Sequence, residues 1–494
     1  MHCWTARTAK GEHAEVGRWL GVNCLHVTSL EACFMKEINR DILKLAIPSI
    51  LANITVPIVG MADIAVAGHL DARAATMIGG IAIGSMLFDL LYWNFGFLRV
   101  GTGGLAAQAF GRGDRRECAK VLLRALCIAL ASAVVLIAIQ WLFVKAAFLV
   151  VDSTPEVRAL ASQYFHIRIW AAPATLSLMA FKGWFIGMQD SISPMLTDFT
   201  VNGMNILMSI ILALGFSVGD WHYEGMGFSG VAVGTVVAQY SGLLVALLLL
   251  LFKYVRNTLS HLDSASLKAI FAGGETRRFF SMNTDLFIRS LCFIAIYIGF
   301  TVISARYGDL LLAVSSIMMK LLMIFSYFTD GFAYAGEALT GRYIGARDSQ
   351  MLRQTVKWTF IWSMSIAVIF MGIYQFAGVP MLRMMTSDLA VIEASREYLP
   401  WLLLMPVAGC AAFTWDGIYI GATASKAMRN SMLWATVCFA GLWVLGILLL
   451  RWLGSSLDAS VYGRMAMHIL MAAYFAHLLA RTVYLTASWR RLTY

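Results

Sequence analysis

Lys182-Gly183-Trp184-Phe185-Ile186-Gly187 and Asp416-Gly417-Ile418-Tyr419-Ile420-Gly421 are one phrase written twice, with both glycines and the apolar residues between them returning at a displacement of 234 positions. A looser echo surrounds it. Gly96-Phe97, Gly101 and the Gly111-Arg112-Gly113-Asp114 turn recur as Gly331-Phe332, Gly336 and Gly345-Ala346-Arg347-Asp348, about 235 positions on. Pro173 and Pro406 precede the two copies on the same relative face. A repeat of this size marks a duplicated architecture. Six helices separate the copies, an even number, so the halves run in the same sense and relate by an axis along the membrane normal.

Composition says what the duplicated unit is. Of 494 residues, 60% are hydrophobic and 13% charged, against about 25% charged in soluble proteins; mean hydropathy is +0.73. Apolar windows long enough to cross a bilayer fall near 42–66, 75–103, 119–148, 158–187, 193–216, 227–252, 282–305, 309–341, 353–377, 394–421, 429–452 and 463–486. The expected fold is an all-α polytopic membrane protein with twelve transmembrane helices in two pseudo-symmetric six-helix lobes. Residues 35–255 form the N-lobe with helices 1–6, 256–280 a cytoplasmic linker, and 281–494 the C-lobe with helices 7–12. Residues 1–34 lack the apolar run of a signal peptide and are expected to be a disordered polar leader or the product of an upstream start.

The net charge of +10 is sorted by loop. One side carries Lys36, Arg40 and Lys44, then Arg112 to Arg124, Lys253 to Arg278 (with Lys268), Arg342 to Lys357, Lys426, Arg429, and Arg481 to Arg491. The other carries only Arg73, Lys145, Arg158, Arg306, Arg383, Arg396, Arg451 and Arg464. By the positive-inside rule both termini are expected in the cytoplasm of a cytoplasmic (inner) membrane. That accounts for the charge without a nucleic-acid partner, and no extramembrane segment has room for a soluble enzyme. The eight cysteines form no CxxC and the nine histidines no HExxH, so neither a disulfide framework nor a resident metal or other cofactor is indicated.

A charge at the bilayer centre costs about 2.5–3.5 kcal/mol, which makes each intramembrane charge a candidate site. Asp63 lies late in the first helix, behind Pro48 and Pro57, either of which can bend that helix and free carbonyls near the acid. Asn202 and Asn205 share a helical face, and Thr235 lies on the sixth helix; with Asp63 they form an oxygen-rich set suited to a proton or a hard cation. At equivalent repeat positions, Lys182 and Asp416 carry opposite charges and are expected to face the central cleft or to pair locally. Asn283, Asp285 and Arg289 open the seventh helix, the last two as an i, i+4 pair able to neutralise itself. Asp330 and Glu337 lie on one face of the eighth, with Arg99 as a counter-ion from the other half, while Lys320 has no evident partner. A 6+6 duplicated monomer favours alternating access over a channel.

These residues resemble the DinF branch of the multidrug and toxic compound extrusion (MATE) transporters. The similarity runs from about Met35 to the C-terminus. Its pieces are Asp63 with Gly68-His69-Leu70, Leu98-Arg99-Val100 leading to Ala107-Gln108-Ala109-Phe110-Gly111, and Asn283 through Arg289. Asp330-Gly331-Phe332-Ala333-Tyr334 with Glu337, and Asp416 through Thr423 followed by Met428-Arg429-Asn430-Ser431-Met432, complete them. The resemblance implies a V-shaped pair of lobes that exports organic, often cationic or amphipathic, compounds in exchange for H+ or Na+, with Asp63 as coupling acid, Pro48 as the bend, and Asn205 and Thr235 as polar neighbours. Ser209 stands where some relatives carry a second acid, Val59 where they carry a tyrosine, and Lys182 where an asparagine is expected. Fewer negative ligands favour protonation of Asp63 over firm Na+ binding, and Lys182 would depress its proton affinity if close. The expected partners are small organic substrates and membrane lipids, with the chain working as a monomer. The alternative is a lipid or lipid-linked oligosaccharide flippase whose basic cavity, containing Arg99, Lys182 and Arg289, meets anionic headgroups. A membrane-embedded enzyme would need a clustered base and nucleophile at the interface, and no catalytic set of that kind is present.

Overall fold

The computed structural model describes residues 23–68, 74–149, 151, 153–218, 221–261, 270–271, 274–386, 388–453 and 458–490. Residues 1–22 of the expected leader, His69 and Leu70 of the first motif, the central part of the linker, and the loop cations Arg73, Lys268 and Arg491 lie outside these. Among the described residues twelve helical stretches are long and apolar enough to cross a membrane. They are spans 1 (Met35–Asp63), 2 (Thr76–Gly111), 3 (Arg115–Ala147), 4 (Pro155–Gly187), 5 (Ile192–Leu214) and 6 (Phe228–Tyr254), then 7 (Gly274–Ala305), 8 (Asp309–Gly345), 9 (Ser349–Met385), 10 (Leu399–Gly421), 11 (Ser425–Trp452) and 12 (Ser460–Trp489). The helix of span 1 begins at Asn23, ahead of the expected pattern, and runs to Gly68. One short antiparallel hairpin, β1 (Phe216–Val218) with β2 (Trp221–Tyr223), joins spans 5 and 6 within the expected all-α architecture.

The expected bend in span 1 takes an unexpected form. Its helix is continuous through both Pro48 and Pro57. Proline has no N–H to give to the carbonyl four residues back, and the carbonyl that Pro48 leaves free, that of Lys44, accepts a hydrogen bond from Ser191 Oγ at 3.0 Å. A side chain from the loop between spans 4 and 5 thus replaces the missing backbone donor.

The duplication is visible atom by atom. Gly183 lies against the carbonyl of Arg99, and Gly417 against that of Ala333; Gly187 lies against Gly103, and Gly421 against Glu337. A methyl group at any of these glycines would overlap the facing backbone, which is why only glycine lets spans 4 and 10 approach spans 2 and 8 this closely. Both contacts repeat at 234 positions, correcting the looser echo at 235: Arg99 is equivalent to Ala333, and Gly103 to Glu337. The turns obey the same displacement. Gln189 (φ 66°) and Thr423 (φ 54°) share the left-handed conformation, as do Gly113 (φ 73°) and Arg347 (φ 56°), and Asp114 and Asp348 each cap the next span by accepting a backbone N–H, from Glu117 at 2.9 Å and from Met351 at 3.0 Å.

The two halves meet along spans 2 and 8. Gly104 faces the carbonyl of Ile420, Gly345 that of Gln108, and Gly111 that of Arg342. Around them lies an apolar core that includes Leu105, Trp184, Phe279, Ile418 and Tyr419. At the end carrying the basic loops, Gln108 Nε2 donates to the Gly421 carbonyl (3.0 Å) and to Thr423 Oγ1 (3.2 Å), and Gln189 Nε2 donates to the Ala338 carbonyl (2.8 Å). Arg278 reaches Gln108 Oε1 (3.0 Å) and Thr423 Oγ1 (2.6 Å). That end is closed.

Symmetry fails in one respect. Span 8 is one helix from Asp309 to Gly345, whereas its counterpart, span 2, breaks between Trp93 and Gly96. Spans 4 and 10 are both interrupted, at different points: span 4 after Arg168, by a 3-10 turn, Ile169–Ala171, before Pro173 opens the next helix, and the equivalent of its start, the helix Leu389–Arg396, is separated by a turn from Leu399–Gly421 of span 10.

Candidate functional site

Spans 5 and 6 approach closely because Gly230 and Gly234 on span 6 lie against the backbone of Leu212 and Ser209 on span 5. That contact brings a small polar set to Asp63. The carboxylate is 8% exposed and accepts one hydrogen bond, from Ser209 Oγ at 3.1 Å. Asn205 Nδ2 donates to Thr235 Oγ1 at 2.9 Å, and Thr235 passes the bond to the Val231 carbonyl at 3.2 Å. Asn205 Oδ1 is buried with no hydrogen-bond partner among the described residues. Asn202, expected in this set, is instead bonded to Thr55 on span 1, two turns before the acid; it lies two turns before Ser209 on span 5 and so meets span 1 at a different level from the acid.

A second constellation lies where spans 2, 7, 8 and 10 converge. Arg99 Nη1 meets Glu337 Oε2 at 3.0 Å, with the glutamate side chain wholly buried. Gly103 makes this possible, since a side chain there would overlap Glu337 Oε1. The guanidinium of Arg99 lies 4.6 Å from the centre of the Tyr334 ring, and Lys182 Nζ 5.9 Å from the same ring. Asp416 accepts from both Arg289 and Arg481. Asp285 accepts from Arg429 at 2.6 Å and Ser425 at 2.8 Å. Arg99, Arg289, Asp330, Tyr334, Glu337 and Asp416 line a cavity of about 150 Å³. An adjoining cavity of about 290 Å³ is mainly aromatic and aliphatic, with Trp93, Phe97, Leu286 and Phe293 on its wall.

These contacts correct one expectation and decide between two alternatives. Asp285 and Arg289 do not neutralise each other, because the helix presents them to different neighbours, spans 11 and 10. Lys182 and Asp416 pair locally: Lys182 with Asp198 of span 5 at 2.8 Å, and Asp416 inside its own half. Lys182 is thus engaged away from Asp63. The Arg99–Glu337 pair is as expected. Asn283 is buried against Gly101 with both amide atoms unpartnered among the described residues, and Asp330 sits in the cavity wall without an ion pair among them. Asp89, Arg168 and Asp198 escaped the sequence reading, although the cost of an intramembrane charge that singled out Asp63 applies equally to them. Arg481 was placed in a terminal loop, whereas the last helix continues to Trp489 and buries it.

Among the described residues no group of three or more His, Cys, Asp or Glu could hold a metal ion. A duplicated twelve-span helical protein with a buried acid in one half and an ion-paired cleft between halves belongs to the class of secondary transporters. The MatE family model matches this chain twice, over residues 48–211 and 286–449, and the chain belongs to that family of MATE transporters, which are not enzymes. DNA damage-inducible protein F of Escherichia coli (strain K12) is 33% identical over 460 residues, 93% of either chain. Protein DETOXIFICATION 44, chloroplastic, of Arabidopsis thaliana is 23% identical over 399 residues, 78% of this chain and 72% of that one. A MATE crystal structure in the bent conformation superposes with a TM-score of 0.74 over 93% of this chain and 97% of that one at 16% identity. A MOP superfamily transporter from Pyrococcus furiosus, described as having a binding pocket of reverse polarity, gives 0.74 over 92% and 97%, also at 16%.

Proposed function

We propose that the protein is a proton-coupled antiporter that exports organic, often cationic or amphipathic, compounds across the cytoplasmic membrane, with Asp63 as the coupling acid and both termini in the cytoplasm. The observation that carries this reading is the poverty of ligands at Asp63. A buried carboxylate with a single hydroxyl donor among the described residues is poorly equipped to hold Na+, which prefers several oxygens in a closed shell, and is well placed to gain and lose a proton. The closed seam at the basic-loop end gives one of the two states that alternating access requires, and one chain supplies both walls of the cleft, so a monomer suffices.

The flippase reading needs free basic groups. Arg99, Lys182 and Arg289 are each engaged by a carboxylate, so none of the three is offered to a phosphate headgroup, which favours the antiporter. The test is uptake of a fluorescent cationic dye into proteoliposomes, driven separately by a pH gradient and by a Na+ gradient, with wild type beside Asp63→Asn. Uphill transport on the pH gradient, lost in the variant, is the expected result. Transport driven by Na+ at equal pH on both sides would replace the coupling ion, and unchanged transport by Asp63→Asn would remove Asp63 from the mechanism.

A further inference from the structure

The turn between spans 4 and 5 grips three different elements with three consecutive residues. Gln189 Nε2 donates across the seam to the Ala338 carbonyl of span 8 at 2.8 Å. Asp190 accepts from Ser193 of span 5 and from Lys253 and Tyr254 of span 6, which fixes the turn to its own half. Ser191 Oγ donates to the Lys44 carbonyl of span 1 at 3.0 Å. The turn 234 positions on is wired alike with other side chains. Thr423 Oγ1 accepts from Gln108 of the opposite half at 3.2 Å, and Ser425 Oγ donates to Asp285 of span 7, the first span of its half, at 2.8 Å. In each turn the first residue reaches across the seam and the third holds the first span.

Span 1 is also held from the far side of the seam. Asn53 Nδ2 donates to the Tyr327 carbonyl of span 8 at 3.4 Å. Gly331 of span 8 lies so close to Ile50 and the Ala46 carbonyl that a methyl group there would overlap both. Span 1 therefore crosses the seam, with Lys44 tied to the first half by a side chain and its next two turns seated on the second. The backbone bond that Pro48 cannot make to Lys44 falls at this changeover.

We propose that Gln189 and Ser191 are positioning residues for transport, which tie the opening of the seam at the basic-loop end to the geometry of span 1. This rests on the reading of the protein as an alternating-access antiporter with Asp63, on span 1, as its coupling acid. As the halves part, Gln189 lets go of Ala338 and span 8 draws on span 1 through Ala46, Ile50 and Asn53, while Ser191 keeps Lys44 with the first half. The pull falls at Pro48, where the helix lacks a bond of its own, and the span that carries Asp63 responds to the seam. Both residues act through span 1.

The test is hydrogen exchange at the amides of residues 45–53, on the full chain in detergent. Gln189 makes no hydrogen bond to span 1 among the described residues, so a purely local role would confine the effect of Gln189→Ala to the turn and to span 8 around Ala338. The coupling predicts that Gln189→Ala and Ser191→Ala each speed exchange on span 1 about fivefold, the size of one lost hydrogen bond. Pro48→Ala restores a backbone donor to the Lys44 carbonyl, and on that background both effects should shrink to within about twofold. Span 1 exchange unchanged by Gln189→Ala, or an effect undiminished beside Pro48→Ala, overturns the proposal. Gln189→Ala leaves Asp190 and Ser191 in place, so it serves if Ser191→Ala does not fold. In proteoliposomes Ser191→Ala should pass protons without dye about fivefold faster than wild type; equal losses of proton and dye flux would overturn the link to transport. Wild-type transport driven by Na+ at equal pH overturns instead the coupling ion of the reading beneath, and leaves the exchange result standing.

Discussion

Asp63 of the N-terminal half and the trio Asp285, Glu337 and Asp416 of the C-terminal half are held in opposite ways. In the C-terminal half, Asp416 has two arginines, Asp285 has an arginine and a serine, and Glu337 has Arg99 from across the seam. In the N-terminal half, Asp63 has one serine hydroxyl. The backbone shows the same division in one pair of spans, with span 8 continuous and its counterpart, span 2, broken. A carboxylate held by one or two cations is anchored in its place, whereas one held by a single neutral hydroxyl has less to hold it to one arrangement.

The sharpest way to break this contrast is to neutralise one acid on each side and measure melting in detergent. Asp416→Asn strands the buried Arg289 and Arg481 and should cost about 3–5 kcal/mol, with loss of folded protein. Asp63→Asn should change stability by less than about 1 kcal/mol, since it replaces a carboxylate held by one neutral hydrogen bond. Equal melting shifts in the two variants would erase the distinction. A smaller effect separates packing from charge: Gly183→Ala and Gly417→Ala each push a methyl into a carbonyl of the facing span and should cost about 1–3 kcal/mol by overpacking. Span 2, which Gly183 faces, is broken and has more freedom to yield than span 8, which Gly417 faces, so Gly183→Ala is expected to be the milder, and the reverse order would show that the break adds no freedom.

The smallest effect belongs to a loop acid that only the first half possesses, position 424 being Ala424 in the second. Burial opposes the charge of Asp190, but hydrogen bonds from Ser193 (2.6 Å to its hydroxyl, 3.0 Å to its N–H), Lys253 (3.1 Å) and Tyr254 (2.9 Å) hold its carboxyl below the ordinary value of 3.8. A folded-state value lower than the unfolded one stabilises the protein fully at pH above the ordinary value and is lost as pH falls through the folded value. Asp190→Asn should therefore lower stability at pH 7 by about 1 kcal/mol and flatten the acid side of the melting profile. Identical profiles from pH 6 to pH 3 would show that these bonds contribute nothing.

Much of this was legible in the chain. Apolar windows gave the twelve spans, and the Gly183 and Gly417 phrases gave the duplication, because glycine spacing at a helix contact is a local demand that sequence must satisfy. Asp63 and the Arg99–Glu337 pair followed from the cost of charge in hydrocarbon. Partners were harder. Whether Asp285 turns to Arg289 or to Arg429, and whether Lys182 turns to Asp416 or to Asp198, depends on how helices are rotated against one another, which helical spacing within one span does not encode. Pro173, which cannot donate to the carbonyl of Ile169, marks the break in span 4, and Asn94 and Gly96 flank the one in span 2, but windows chosen by apolar length register neither. Arg168 was hidden for the same reason, since it falls within a window that reads as one uninterrupted helix.

Gly103 and Glu337 occupy the same place in the two halves, one with no side chain and the other with a long charged one that fills the space its counterpart leaves. Identical halves could not have this arrangement: two glycines would leave a void, and two glutamates would collide. The seam is a lock whose key was cut from its own second copy, so a tandem of two first halves or of two second halves would not close. Once that divergence occurred, one half of each kind became obligatory, and neither could be replaced by a copy of the other.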